Sequence, residues 1–207
     1  MAIRPILFNG EMVRAILDGR KICTRRLVKH NVDAVLNSPY HMEHPETEDV
    51  WLIKRLCRAP YDPGDILYVR ETWGEGYAEG TYIYKADDKL AKLPTFEKTS
   101  KILYHPSIHM PKEAARIWLK VTDVRVKRLQ GITDEQAKRE GIQYDECPTG
   151  FTWKQETDMH NCYTTPIGAM QALWNSTIKK SDLDRYGWVA NPWVWVIEFE
   201  RCEKPKE

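Results

Sequence analysis

The sequence predicts an α+β protein, a small, partly closed β-barrel with flanking helices, in a single domain over residues 1–207. Three observations predict it. Segments with strand alternation outnumber those with helical spacing. The longest strand changes parity midway, which bends a sheet as at a barrel corner. Glycine, proline and capping residues bound the elements on both sides. With 42% hydrophobic and 29% charged residues, the chain suits one packed core and is too apolar for global disorder.

Pro5 to Phe8 reads as a first strand. Asn9 is a helix cap, and Met12, Val13, Ile16 and Leu17 mark one face of a helix over 10–18 that Gly19 stops. Residues 31–60 show no sustained period and read as a surface excursion with one helical turn at 50–57. Asp62-Pro63-Gly64-Asp65 is a turn, and Ile66 to Trp73 follows as a strand with Leu67, Val69, Glu71 and Trp73 on one face. Thr81 to Lys85 is a further strand, and 86–114 is polar and proline-punctuated. Ala115 to Leu129 is the long strand: Ile117, Leu119 and Val121 share one parity and Val124 and Val126 the other, so a bulge falls at Thr122-Asp123.

Thr133-Asp134-Glu135-Gln136 has the capping-box form and opens a helix that Gly141 ends. Residues 144–164 are another polar excursion. Thr165-Pro166 starts a helix buried through Ile167, Met170, Leu173 and Trp174, and Pro192 to Arg201 is the last strand.

Composition narrows the function classes. A net charge of +1 argues against strong non-specific binding to duplex nucleic acid but leaves room for a local basic groove. Five cysteines form no CxxC pair and no leader peptide is evident, so free thiols in a reducing cytoplasm are expected. No apolar run approaches the roughly 20 residues that span a bilayer, so no membrane partner is expected. Asp158, His160 and Cys162 alternate, with Cys147 upstream, but the spacing matches no zinc motif. No metal and no cofactor are expected. Eight Trp and ten Tyr against four Phe supply rings with polar handles, for the core or for stacking on flat ligands.

The chemistry concentrates in Gly19-Arg20-Lys21-Ile22-Cys23-Thr24-Arg25-Arg26. An amine that can lose its proton beside a hydroxyl that needs a base is a nucleophile arrangement. Lys21 and Thr24 would face opposite sides of a regular strand, so cooperation requires an irregular turn at 20–24, while Thr24 and Arg26 share a face if the chain then extends. Glu71, on an otherwise apolar strand face, is either a site residue or half of a buried pair with an arginine. Glu140 sits at a helix C-terminus, where its charge opposes the dipole; it is either solvated or kept there for function.

Taken together, Gly19-x-Lys21-x-x-Thr24-x-Arg26, Pro63-Gly64-Asp65-Ile66-Leu67-Tyr68-Val69-Arg70-Glu71-Thr72-Trp73, Ile132 to Gly141 and the closing Trp193 to Phe199 strand resemble the ASCH domain family, a branch of the PUA-like β-barrel folds. The chain looks most like the larger bacteriophage or prophage members, with inserts at about 31–60, 86–112 and 144–164 outside the minimal domain. The resemblance implies a cytoplasmic protein of a bacterium or phage-infected cell. Its partner would be a modified nucleoside or single-stranded RNA. A small member of the family removes the acetyl group from N4-acetylcytidine, which implies Lys21, Thr24 and Glu140 as catalytic residues. Arg26, Glu71, Trp73, Arg25 and Arg70 are the expected substrate-binding residues, with Arg26 on an oxyanion and Trp73 stacked on the base. The alternatives are a non-catalytic reader of RNA or modified bases, with Arg20, Arg25, Arg26 and Lys29 on phosphates, and a ribonuclease using His105 or His109.

Overall fold

A computed structural model of the chain describes residues 1–45, 47–76, 78, 80–87, 103–144, 150–154 and 162–205. Its centre is a five-stranded sheet in the order β1-β3-β6-β9-β2. The strands are β1 (Ile3–Leu7), β2 (Cys23–Leu27), β3 (Ile66–Arg70), β6 (Trp118–Arg128) and β9 (Trp193–Cys202). β1 runs parallel to β3, and the other pairs are antiparallel. Two short hairpins flank the sheet: β4 (Trp73–Glu75) with β5 (Tyr82–Tyr84), and β7 (Gln143–Tyr144) with β8 (Phe151–Thr152). The α+β class is observed. The sheet is open rather than a closed barrel, because no ladder among the described residues joins the edge strands β1 and β2. One side chain spans that gap: Arg26 Nη2 on β2 donates to the Leu7 carbonyl on β1 at 2.9 Å.

Local signals set most element ends. Asn9 accepts the Met12 N–H and caps α1 (Gly10–Leu17), which buries Val13, Ala15 and Ile16. Gly19 then reverses the chain at φ +75°. Thr133 accepts the Gln136 N–H to start α5 (Asp134–Arg139), and Thr165 accepts the Gly168 N–H to start α6 (Pro166–Thr177). The parity switch in the long strand is a register shift between Val121 and Asp123 in the β6–β9 ladder.

β9 is buried on both faces, which is why it is almost uniformly apolar. Trp195, Ile197 and Phe199 pack with Ile6, Phe8, Val13, Ile16 and Leu67, whereas Val194 and Val196 pack with Ala137 of α5 and Ala169, Leu173 and Trp174 of α6. At about 25 cal/mol per Å² of apolar area, a strand covered on both sides contributes more per residue than an edge strand covered on one.

Four sequence expectations change. The strand predicted over 66–73 ends at Arg70: the Glu71 N–H leaves the ladder for the Met110 sulfur at 3.2 Å, and Trp73 joins a separate cluster with Met110, Ala114 and Trp118. Leu67 and Val69 therefore do not share a face with Trp73. The loop predicted over 20–24 extends early, since β2 begins at Cys23 and holds Thr24. The 31–60 segment is no mere surface excursion. It forms α2 (Val32–Leu36), α3 (Pro39–Glu43) and α4 (Asp49–Leu56), and Leu52, Ile53 and Cys57 are buried. Finally, Cys23, Cys57 and Cys202 are free as expected, but Cys162 is disulfide-bonded. Of the candidate metal residues, Cys147, Asp158 and His160 lie outside the described residues. No described helix, including the short α7 (Leu183–Tyr186), is long and apolar enough to cross a membrane.

Candidate functional site

The segment after α1 is held by three elements at once. The Ala15 carbonyl accepts both the Arg20 and Lys21 N–H groups at 2.9 Å. Ile22 donates to the Arg139 carbonyl at the end of α5 and accepts from Phe199 of β9. Lys21 and Glu140 face each other as an isolated β-bridge. Gly141, at φ +104°, makes the approach possible: a Cβ there would stand 3.0 Å from the Ala15 Cβ and 3.5 Å from the Lys21 Cβ.

This backbone lacing buries a three-membered charge cluster. The Lys21 ammonium, whose side chain has 0% exposure, donates to Glu140 Oε2 at 2.7 Å and to the Glu140 backbone carbonyl at 2.9 Å. Arg25 Nη1 donates to Glu140 Oε1 at 2.8 Å, and its Nη2 donates to Gln136 Oε1 at 3.1 Å. One carboxylate thus answers two buried cations. That resolves why an acid stands at the C-cap of α5: the unfavourable helix dipole is offset by Lys21, which also satisfies a terminal carbonyl. Gln136 plays a double part, its N–H closing the Thr133 cap and its side chain orienting Arg25. The neighbouring Cys23 thiol is pushed up to about 12 by burial and then by the Glu140 charge, against the opposing pull of Lys21 and Arg25, so it is no thiolate nucleophile.

Strand alternation separates the remaining residues of the signature. Arg25 lies opposite Val196, and Thr24 and Arg26 lie opposite Ile197 and Trp195, so Thr24 and Arg26 share the other face of the sheet, as expected. Thr24 is buried, and among the described residues its hydroxyl makes no hydrogen bond to Lys21 or Glu140. The Phe8 ring links the two faces: its centroid is 5.6 Å from Lys21 Nζ and 5.3 Å from the Arg26 guanidinium. Burial pulls the Arg26 pKa down, opposed by Tyr61 and Glu140. Arg26 borders a cleft of about 620 Å³ whose lining includes Arg4, Lys29, His30, Arg58, Tyr61 and Trp195.

The other predicted site residues sit elsewhere. Glu71 is the buried partner of an arginine, the second of its two readings. Arg116 grips it with both Nε and Nη2, at 2.9 and 3.0 Å, and also binds Asp87 while its guanidinium lies 3.9 Å from the Tyr84 ring centroid. Burial raises the Glu71 pKa, opposed by Arg116. Arg70 is spent on the Met110 carbonyl at 2.7 Å. Trp73 is buried against Tyr82 and His105, and so is placed for packing rather than for stacking on a base. No described contact joins the Glu71, Arg70 and Trp73 group to Lys21, Thr24, Arg26 or Glu140. Arg25 is buried on Glu140 and Arg20 is taken by the Gly141 carbonyl and Asp18, so neither is available to a phosphate here.

Sequence reasoning missed Gln136 as a site residue, Arg116 as the partner of Glu71, and Arg4, Arg58 and Tyr61 as walls of the cleft. Gln136 carried a signal only as a capping residue. Arg58 and Tyr61 lie at the end of a segment without periodicity, and nothing local distinguishes them.

Comparison of the chain with protein-family models, with curated proteins and with solved structures finds no match in any of the three.

Proposed function

We propose that this chain is an ASCH-type protein of PUA-like architecture that removes an acyl group from N4-acylated cytosine or cytidine, using Lys21, Thr24 and Glu140. The observation that carries the reading is the buried Lys21–Glu140 pair, 2.7 Å apart, in the segment that leads directly into β2, the strand that holds Thr24. At that distance the two groups are within reach for direct proton transfer. Lys21 passes its proton to Glu140 and, as a free amine, takes the Thr24 hydroxyl proton. Thr24 Oγ adds to the amide carbonyl carbon, and Arg26, on the same face as Thr24, meets the oxyanion. The C–N bond breaks as N4 receives a proton from Lys21. Water then cleaves the Thr24 ester, giving a carboxylic acid and the free cytosine amine. Because Lys21 is shielded and committed to Glu140 in this state, the first step requires the substrate carbonyl to displace it.

A second reading, a non-catalytic reader of RNA or modified bases, is favoured by one observation: the Lys21 cluster is closed and satisfied, while the accessible cations line the cleft beside it.

A mass-spectrometric turnover assay separates them. Wild type, Lys21→Ala and Thr24→Val, each checked for folding by circular dichroism, meet N4-acetylcytosine, N4-acetylcytidine and a short single-stranded RNA. Deacylated product from wild type alone supports the hydrolase. Unchanged turnover in a folded Lys21→Ala variant refutes it. Binding without product favours the reader, and cleaved RNA a ribonuclease.

A further inference from the structure

We infer that the cleft between the two edges of the sheet is a phosphate site, and that its ligand is a phosphorylated nucleoside rather than a free one. The walls come from three parts of the chain that lie far apart in sequence: Arg4 from β1, Arg26 and Lys29 from β2 and the residues after it, and Arg58 and Tyr61 from the segment that follows α4. Four of these side chains carry a positive charge, and the lining contains no Asp or Glu. In a chain whose net charge is only +1, that is a strong local imbalance.

The cations are also largely uncommitted. Among the described residues, Arg26, Lys29 and Arg58 form no ion pair, in contrast to Arg14, Arg20, Arg25, Arg116, Arg125 and Arg139, each of which meets a carboxylate. Arg26 uses one nitrogen to hold the Leu7 carbonyl and keeps the rest of its fork. Arg4 is the partial exception, 3.5 Å from Asp65 and bonded to the Pro60 carbonyl at 3.2 Å. Cations gathered without a counter-charge repel one another, and a dianion among them removes that repulsion while accepting charge-assisted hydrogen bonds. The volume of about 620 Å³ lies within the range of small-ligand pockets, roughly 300–1,000 Å³, and exceeds what one phosphate needs. Tyr61, pinned through its hydroxyl to the Pro5 carbonyl at 2.9 Å, supplies ring surface for the remainder of the ligand.

The phosphate assignment stands on the cleft alone; the nucleoside part rests on the function proposed above.

Calorimetric titration of the full chain at constant ionic strength tests this with cytidine, cytidine 5′-monophosphate, inorganic phosphate and a short single-stranded RNA lacking terminal phosphates. The expected result is that the monophosphate binds at least about tenfold more tightly than cytidine, and that Arg58→Gln and Lys29→Gln each weaken it about tenfold. Lys138→Gln, a charge removed on the exposed face of α5, should leave it unchanged. Equal affinities for cytidine and its monophosphate overturn the inference, as does an equal loss in the Lys138 control. RNA binding that depends on Arg58 without mononucleotide binding also overturns it, assigning the cleft to a strand's phosphodiesters. Monophosphate binding without deacylation of any substrate leaves the cleft standing and removes the hydrolase. Deacylation without a phosphate preference does the reverse.

Discussion

Replacing Glu140 by Gln removes the carboxylate that, among the described residues, answers the two buried cations Lys21 and Arg25, whereas replacing Lys21 by Met leaves that carboxylate matched one to one by Arg25. The two substitutions are similar in size and touch the same cluster, yet they should differ in cost. Lys21 has 0% side-chain exposure and Arg25 2%, so neither charge can recover its hydration when Glu140 is neutralised. Stranding buried charge costs about 3–5 kcal/mol. Lys21→Met gives up the two bonds that Lys21 makes to Glu140, at 2.7 and 2.9 Å, and loses about 1–3 kcal/mol, because the Arg25–Glu140 pair survives. For a chain of this length each kcal/mol moves Tm by about 2–4 °C, so Glu140→Gln should lower it by about 6–20 °C and Lys21→Met by about 2–12 °C. Urea denaturation followed by both tryptophan fluorescence and circular dichroism measures the difference and checks that one transition is being observed. A Lys21→Met variant as destabilised as Glu140→Gln would refute the reasoning, because it would mean that Arg25 does not hold the carboxylate by itself.

Two further outcomes are expected. Gly141→Ala, which forces φ +104° on an alanine and places its Cβ 3.0 Å from that of Ala15, should cost about 1–3 kcal/mol, while Gly19→Ala, at φ +75° with open space around it, should cost less; equal losses in urea melts would remove the close approach from the explanation. Burial tends to raise the Asp65 pKa, but the Ala2 and Asp62 N–H groups and Arg4 outweigh it and hold the carboxyl below its usual range. With the folded value depressed, the stabilisation is full above the unfolded carboxylate pKa and is lost as pH falls through the folded one. The stability gap between wild type and Asp65→Asn should therefore shrink in urea melts taken from pH 7 down to pH 3, and a constant gap would contradict this.

Much of the architecture was legible because its causes are local. Asn9, Thr133 and Thr165 cap helices through bonds to residues three positions on, and Gly19 and Gly141 end them by adopting positive φ. The bulge between Val121 and Asp123 follows from side-chain parity along one strand. The same parity placed Thr24 with Arg26 and apart from Arg25 once β2 was extended. The anomaly of an acid at the end of α5 was visible as well, although its resolution was not.

What the chain order does not contain is adjacency. β1 and β2 are separated by one short helix, yet they stand at opposite edges of the sheet. Arg25 and Glu140 meet across 115 positions, and Arg116 and Glu71 across 45. The sequence left Glu71 open between a site residue and half of a buried pair because its arginine lies far along the chain, and Trp73 leaves its predicted face where the Glu71 N–H turns from the ladder to a methionine sulfur 39 positions away. The cleft depends on three distant segments, so its charge imbalance has no signature in any one of them. By itself the sequence determined where elements start, stop and bend, since short-range hydrogen bonds and backbone sterics decide those. Only the tertiary structure decided which charges are paired and which stand open in the cleft, because burial and long-range register determine which side chains meet.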